Sequence, residues 1–151
     1  MKYLWWALII FLAFLLQGSI SILAVPPNLT VLVVYFIGIR YGRTSGLLFG
    51  VLIGALEDSL SSAILGPNML ANGMVGLLSA SFISGSFLIW TPLLGTIAAA
   101  LLTFTGNTVA FLSLALFDKF PTNISTALFT TIMQSLMNAS AGIFMRPENA
   151  D

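Results

Sequence analysis

Four glycines recur at every fourth position along one stretch of the chain, and an aspartate occupies the next position of the series. They are Gly42, Gly46, Gly50, Gly54 and Asp58. Positions four apart share one face of an α-helix. A helix over residues 43–62 would therefore carry a groove without side chains that leads to a carboxylate. Such a groove lets another helix approach closely inside a bilayer, so the pattern predicts helices packed around a buried acid.

The composition makes a lipid bilayer the expected surroundings of this chain. Hydrophobic residues make up 58% of the 151 residues and charged residues 7%, whereas soluble domains carry about 25% charged residues. Apolar runs long enough to cross a hydrocarbon core of about 30 Å recur along almost the whole length. We therefore expect one all-α membrane domain over residues 1–151, a compact bundle of six transmembrane helices. The net charge of zero argues against a nucleic-acid partner.

Prolines, glycines and polar turns divide the chain into these six spans. Their predicted approximate boundaries are residues 3–25, 28–39, 43–62, 68–90, 92–117 and 123–145. The second is the shortest, because a dozen residues at 1.5 Å each reach only about 18 Å. It is therefore either a tilted span in a thinned bilayer or a re-entrant segment.

The basic residues predict the orientation of the bundle. If all six segments cross, Lys2, Arg40, Arg43 and Arg146 fall on one side and Lys119 on the other. The positive-inside rule then places both termini in the cytoplasm, with the four residues as topology anchors. A re-entrant second segment would put Arg146 opposite Lys2, so the charges favour six crossings.

Asp58 is the polar residue of greatest interest. A carboxylate at the centre of a bilayer costs about 2.5 to 3.5 kcal/mol and is normally kept only where it pairs, lines a cavity or has a function. Counted along the helix from Arg43, Asp58 lies about 22 Å away, near the outer boundary. Three interpretations stay open: a hydrated helix-end carboxylate, a helix-packing or partner-docking contact, and a proton or ion relay. Glu57 points about 100° away from the groove and is expected at the membrane interface.

Polar and small residues also recur at four-residue spacing in the sixth span. They are Thr126, Thr130, Gln134, Asn138 and Gly142. This stripe predicts a hydrogen-bonded seam with another helix, at about 0.6 to 2 kcal/mol per contact, or a face that lines a substrate pocket. Asn68 and Asn72 share a face of the fourth span. Together with Gln134 and Asn138 they form a candidate polar seam or pocket.

The side-chain inventory argues against catalysis. The chain contains neither histidine nor cysteine, so it has no imidazole base, no thiolate and no conventional ligand set for zinc or haem. The serines have no evident base partner, and no phosphate-cradling loop occurs. We therefore expect no enzymatic activity, no metal site and no cofactor.

Several short motifs follow one another in an informative order. They are Gln17-Gly18-Ser19, Pro27-Asn28-Leu29, Arg40-Tyr41-Gly42-Arg43, the glycine-rich third span ending at Asp58, Leu65-Gly66-Pro67-Asn68, and Val75-Gly76. Over residues 14–80 this order resembles the family of the rod shape-determining protein MreD. The chain departs from that family at Asn28, where aspartate is usual, and at Ser62-Ala63-Ile64, where Gly-Gly-Pro is usual.

The resemblance implies a non-catalytic component of the machinery that elongates the side wall of rod-shaped bacteria. Such a protein lies in the cytoplasmic membrane and regulates cell shape by docking partner membrane proteins. The implied partners are the bitopic protein MreC, the actin-like MreB, and the glycan polymerase RodA with its transpeptidase.

A second class of protein also fits the pattern. The substrate-binding subunit of an energy-coupling-factor vitamin transporter is a six-helix bundle of similar size, and its pocket could use Asn68, Asn72, Gln134 and Asn138. The first span, however, lacks the alanine stripe with which such subunits dock. A proton-coupled transporter working through Asp58 is disfavoured, because the two halves of the chain show no corresponding broken segments.

Overall fold

The computed structural model describes residues 11–13, 15–17, 19, 21, 24–61, 64–81, 90–117 and 123–146. These residues contain five helices with defined ends: α1 (Leu29–Tyr41), α2 (Arg43–Leu60), α3 (Pro67–Ser79), α4 (Pro92–Leu116) and α5 (Ile124–Gly142). Residues 11–13, 15–17 and 19 are helical too. The predicted all-α fold is thus confirmed for the described part of the chain. The start of the predicted first span, residues 3–10, lies outside it.

The junction between α1 and α2 is a single glycine. Gly42 has φ 87° and its N–H donates to the carbonyl of Gly38 at 3.0 Å. This left-handed conformation favours glycine and ends a helix sharply. A Cβ placed on Gly42 would have no atom within 4 Å, so Gly42 forms the turn and does not contribute to the glycine groove.

Prolines and capping residues fix the starts of the next helices. Pro67 and Pro92 occupy the first turns of α3 and α4, where the missing proline N–H costs nothing. α3 ends at Ser79, whereas the sequence predicts a single span over residues 68–90. The Ser79 hydroxyl donates to the carbonyl of Gly76 at 2.8 Å, a local bond of the kind that competes with helix continuation. Residues 82–89 lie outside the described chain.

α1 is the central helix of the bundle and contacts all four others. Eight of its 13 residues are buried, and Val34, Val31 and Ile37 are among the most buried side chains of the described chain. A helix that is apolar on every face is typical of a core position. The short second predicted span therefore forms the middle of the fold.

The glycine stripe of α2 lies against α3. A Cβ would stand 2.3 Å from the Gly76 carbonyl oxygen if added to Gly46, and 2.2 Å from that of Asn72 if added to Gly50. The same atom on Gly54 would stand 2.2 Å from the carbonyl oxygen of Asn68. None of these positions has room for a side chain, so the groove is filled by a helix of the same chain. Close glycine packing of this type is common between membrane helices.

The outer surface of α2 to α5 is apolar, and much of the interior is polar. Exposed large side chains include Leu48, Leu52, Leu101, Leu116 and Leu136. Buried polar ones include Asp58, Asn72, Asn107, Gln134 and Asn138. Among the described helices, α4 alone is long and apolar enough to cross a membrane, with 25 residues and a mean hydropathy of 1.7 over its best window. The apolar α1 has 13 residues.

Candidate functional site

Polar side chains from different parts of the chain line one cavity of about 350 Å³. It lies among the N-terminal ends of α1 and α3, the C-terminal end of α2 and the middle of α4. Its polar lining consists of Gln17, Asn28, Glu57, Ser61, Asn68, Asn72 and Asn107. The cavity is therefore far from the Arg40–Arg43 end of α2, from which Glu57 is separated by about 20 Å of helical rise.

Glu57 lines this cavity and is half-buried, so the prediction that it points away from the glycine groove is wrong. An α-helix has 3.6 residues per turn, so a residue seven positions on returns to within about 20° of the starting direction. Glu57 lies seven positions after Gly50 and therefore shares the glycine face. Each four-residue step rotates the side-chain direction by about 40° around the helix axis. The series that leads to Asp58 therefore moves away from the face on which Glu57 lies.

The Glu57 carboxyl group is held by two neighbouring helices. Its Oε2 accepts a hydrogen bond from Asn72 Nδ2 at 2.6 Å. Its Oε1 forms a hydrogen bond with the hydroxyl of Thr30, a residue that is only 1% exposed. That hydroxyl also lies 2.8 Å from Asn28 Oδ1. The acid thus connects α2 with α1 and α3.

From Asn28 a row of amide side chains continues into the bundle. Asn28 Nδ2 donates to Asn107 Oδ1 at 3.0 Å, and Asn107 Nδ2 donates to Gln134 Oε1 at 2.7 Å. Gln134 Nε2 donates to the Pro26 carbonyl at 2.8 Å. At the other end, Asn28 Oδ1 accepts the N–H of Val31 at 3.2 Å. A carbonyl only accepts and a backbone N–H only donates, so both ends fix every amide in the same orientation.

The hydrogen count in this row bears on the protonation of Glu57. A hydroxyl carries one hydrogen, so Thr30 cannot donate to both Asn28 Oδ1 and Glu57 Oε1. If Glu57 carries a proton and donates it to Thr30, Thr30 can donate to Asn28 and each contact has one donor and one acceptor. The hydrogen-bond arrangement therefore favours Glu57 as a neutral carboxylic acid.

Asp58 leaves α2 in another direction and caps α3. It is 1% exposed. Its Oδ2 accepts the backbone N–H groups of Gly66 and Met69 at 2.8 and 3.2 Å, and its Oδ1 accepts both the N–H and the Nδ2 of Asn68 at 3.1 and 2.8 Å. Gly66, the N-cap residue of α3, has no side chain to perform this role. A carboxylate at a helix N-terminus is stabilised by the unpaired N–H groups and the helix dipole. Among the three interpretations of Asp58, this geometry corresponds to a helix-packing contact within the chain.

The predicted seam of α5 is only partly buried. Gln134, Asn138 and Gly142 are buried as the stripe requires, whereas Thr126 is exposed and Thr130 is half-buried. The buried polar positions beside them are Thr131 and Ser135. The cause is again the drift of about 40° per four-residue step, which turns the far end of a long stripe out of the interface.

The candidate polar set divides into two groups. Asn68 and Asn72 line the cavity, and Gln134 reaches it through Asn107. Asn138 lies deeper, where its Nδ2 donates to the Asn28 carbonyl at 2.7 Å and to Thr103 Oγ1 at 3.0 Å. Its Oδ1 accepts no hydrogen bond within the described residues. Asn138 therefore joins α5 to α1 and α4 and does not line the cavity.

The predicted topology anchors that the structure describes lie at the other end of the helices. Arg40 stands in the last turn of α1, with its guanidinium carbon 5.8 Å from the centre of the Phe36 ring. The guanidinium carbon of Arg146 lies 6.0 Å from the Trp90 ring centre. Arg43 begins α2, and Lys2 falls outside the described residues. Among the described residues, no group of three or more histidine, cysteine, aspartate or glutamate side chains is placed to hold a metal ion.

Comparison with known proteins adds no relative to this picture. The chain matches no protein-family model, and no curated protein and no solved structure is significantly similar to it. The class defined by the fold is an all-helical protein with an apolar exterior and a polar interior cavity.

Proposed function

We propose that this chain is a polytopic protein of the bacterial cytoplasmic membrane, with six crossings and both termini in the cytoplasm. The distribution of side chains supports this proposal. Large leucines such as Leu48 and Leu101 point outwards, while Asn107 and Gln134 are buried. In water, an apolar exterior of this extent would be an aggregation liability. In a bilayer, the same arrangement places apolar groups in lipid and polar groups where they bond one another.

Within that membrane, we propose a non-catalytic, MreD-like role in the side-wall elongation complex. The observation that carries the proposal is the convergence of the sequence landmarks on one site. Gln17, Asn28 and Asn68 come from three separate motifs and line the same cavity. Asp58, at the end of the glycine-rich span, binds the backbone of the Gly66–Asn68 turn.

The packing of α2 against α3 excludes the glycine face as a docking site for a partner. Because Gly46, Gly50 and Gly54 are covered by α3, a single-pass partner such as an MreC-like protein would bind elsewhere. The exposed apolar side chains of the bundle, for example Leu52 and Leu56, offer a surface that lipid or a partner helix can cover. The buried acid and the glycine groove would then shape the bundle that presents this surface.

Purification from the native membrane tests the proposal. We would attach a small tag, solubilise the membrane gently and identify the co-purifying proteins by mass spectrometry. We expect an MreC-like protein with wall-synthesis enzymes, and we expect depletion of the chain to convert rods into rounded cells. Intact rod shape after depletion, together with the absence of wall-synthesis partners, would contradict the proposal.

The cavity favours a second candidate, the substrate-binding subunit of an energy-coupling-factor vitamin transporter. Its volume of about 350 Å³ falls within the range of small-molecule sites, about 300 to 1,000 Å³. Two of the four residues proposed for such a pocket, Asn68 and Asn72, line it. The same purification separates the candidates, because a transporter subunit would bring an energy-coupling membrane protein and paired ATPases with it.

A further inference from the structure

The cavity beside Glu57 is rich in hydrogen-bond acceptors. The Nδ2 groups of Asn68 and Asn72 are engaged with Asp58 and Glu57, at 2.8 and 2.6 Å. The amide oxygens of these two asparagines accept no hydrogen bond from the described residues, and Gln17 Oε1 is a buried acceptor without a partner there. A molecule that carries hydrogen-bond donors would satisfy these open acceptors.

We propose that this cavity binds a small organic amine, with Glu57 as the counter-ion of its ammonium group. An ammonium group offers three N–H donors and accepts nothing, which matches a site with one carboxyl group and several amide oxygens. The inference does not rest on the partner-docking role. It would also define the ligand class of the second candidate function.

The size of the cavity argues for an organic molecule over a bare ion. One water molecule occupies about 30 Å³, and the cavity measures about 350 Å³. The carboxyl of Glu57 is the one acidic group among the lining residues, whereas hard divalent cations usually take several carboxylate oxygens. An organic amine fits within the volume and needs only one negative charge.

Binding of an amine has a definite proton balance. The neutral acid of Glu57 and a neutral amine combine by transfer of the carboxyl proton to nitrogen, which gives a carboxylate and an ammonium. An amine that is already protonated in solution enters as the ammonium, so the Glu57 proton is released to water. Thr30 then turns its hydroxyl towards Glu57 Oε1, while Asn28 Oδ1 keeps the N–H of Val31.

Among the described residues that line the cavity, Glu57 is the one acidic group that can exchange a proton when the amine binds. Thr30 on α1 and Asn72 on α3 are its side-chain partners, and neither titrates. The carboxyl group of Asp58, the next residue in the sequence, accepts four hydrogen bonds from N–H groups at the start of α3. No lysine, arginine or tyrosine lines the cavity among the described residues.

Ethanolamine is a suitable probe, and ethylene glycol is its neutral counterpart of the same size. With the full chain purified in detergent, we expect ethanolamine to raise the melting temperature and ethylene glycol to leave it unchanged. Calorimetry in two buffers of different ionisation enthalpy should show release of about one proton per ethanolamine bound, and the affinity should rise by up to about tenfold per pH unit. Equal effects of both probes, or binding without proton release, would overturn the proposal.

Glu57→Gln is the decisive variant. A glutamine can donate from Nε2 to Thr30 and accept from Asn72 at Oε1, so it preserves both contacts of the neutral acid. We expect this variant to fold and to bind ethanolamine at least tenfold more weakly than the natural chain. Ser59→Ala, an exposed site on the same helix, should respond like the natural chain. An unchanged response in Glu57→Gln would refute the role of Glu57, whatever the outcome of the co-purification experiment.

Discussion

Glu57 and Asp58 are neighbours in the sequence, and their side chains leave α2 about 100° apart. Asp58 meets only N–H donors, which stabilise a carboxylate. Glu57 meets a hydroxyl that needs its own acceptor at Asn28, which favours the neutral acid. Two acids of nearly the same chemistry thus have different hydrogen-bond partners because of the direction in which each leaves the helix. Asp58 has a structural role, and Glu57 is the group available to a ligand.

The role of Glu57 in stability follows from this hydrogen count. Glu57→Gln should change the free energy of unfolding by less than about 0.5 kcal/mol, since each polar partner keeps a hydrogen bond. Glu57→Leu should cost about 1 to 3 kcal/mol, because Asn72 Nδ2 and Thr30 lose theirs. Thermal unfolding in detergent micelles measures both. A Glu57→Gln variant as unstable as Glu57→Leu would show that the native carboxyl is ionised.

Asp58 should be far less tolerant of the amide. Asn would present an NH₂ group to N–H donors at Gly66 or Asn68, and Ala would leave all four donors without an acceptor. We expect Asp58→Ala to cost at least about 2 kcal/mol, as for the loss of a helix cap combined with charged hydrogen bonds. Asp58→Asn should recover less than half of that loss. Full stability in Asp58→Asn, measured by the same unfolding assay, would contradict the capping role.

At the scale of elements, the four-residue glycine series correctly indicated a close helix contact on one face of α2. It could not indicate the partner, because any helix with exposed carbonyls fits a groove without side chains. The distance from Gly50 to Asn72 identifies that partner as α3. Fixed four-residue steps also assigned the wrong helix face over long stripes, at Thr126 in α5 and at Glu57 in α2. The true helical period of 3.6 residues explains both differences.

Gly50 offers the sharpest test of the α2–α3 contact. A leucine there would drive its Cβ into the Asn72 backbone, 2.2 Å away, so the helices must separate. We expect Gly50→Leu to cost at least about 3 kcal/mol, at the upper end of overpacking effects, or to prevent accumulation of the protein. Ser59→Leu places the same leucine side chain at an exposed position of α2 and is the matched control. Comparable yields and melting temperatures for the two variants would place α3 elsewhere.

At the scale of the whole molecule, the sequence predicted an all-helical fold, which the described residues confirm, and it could do so because this property depends on averages over many residues. The central place of α1 was harder to predict. Its 13 residues are short for a span, and this length left its path through the bilayer open. Its apolar character on every side is what suits it to the core. The cavity could not be predicted from a sequence pattern either, because it forms only where separate chain segments meet around Glu57.

The proposed orientation can be tested cleanly because the chain contains no cysteine. A single cysteine can replace Thr44, exposed in the first turn of α2, or Asn123, exposed before α5. In intact spheroplasts, a membrane-impermeant maleimide should label Asn123→Cys and should label Thr44→Cys only after lysis. Six crossings with cytoplasmic termini require this result. If α1 were re-entrant, every later loop would change sides and Thr44→Cys would be the labelled variant, so the experiment decides between the two arrangements whichever way it turns out.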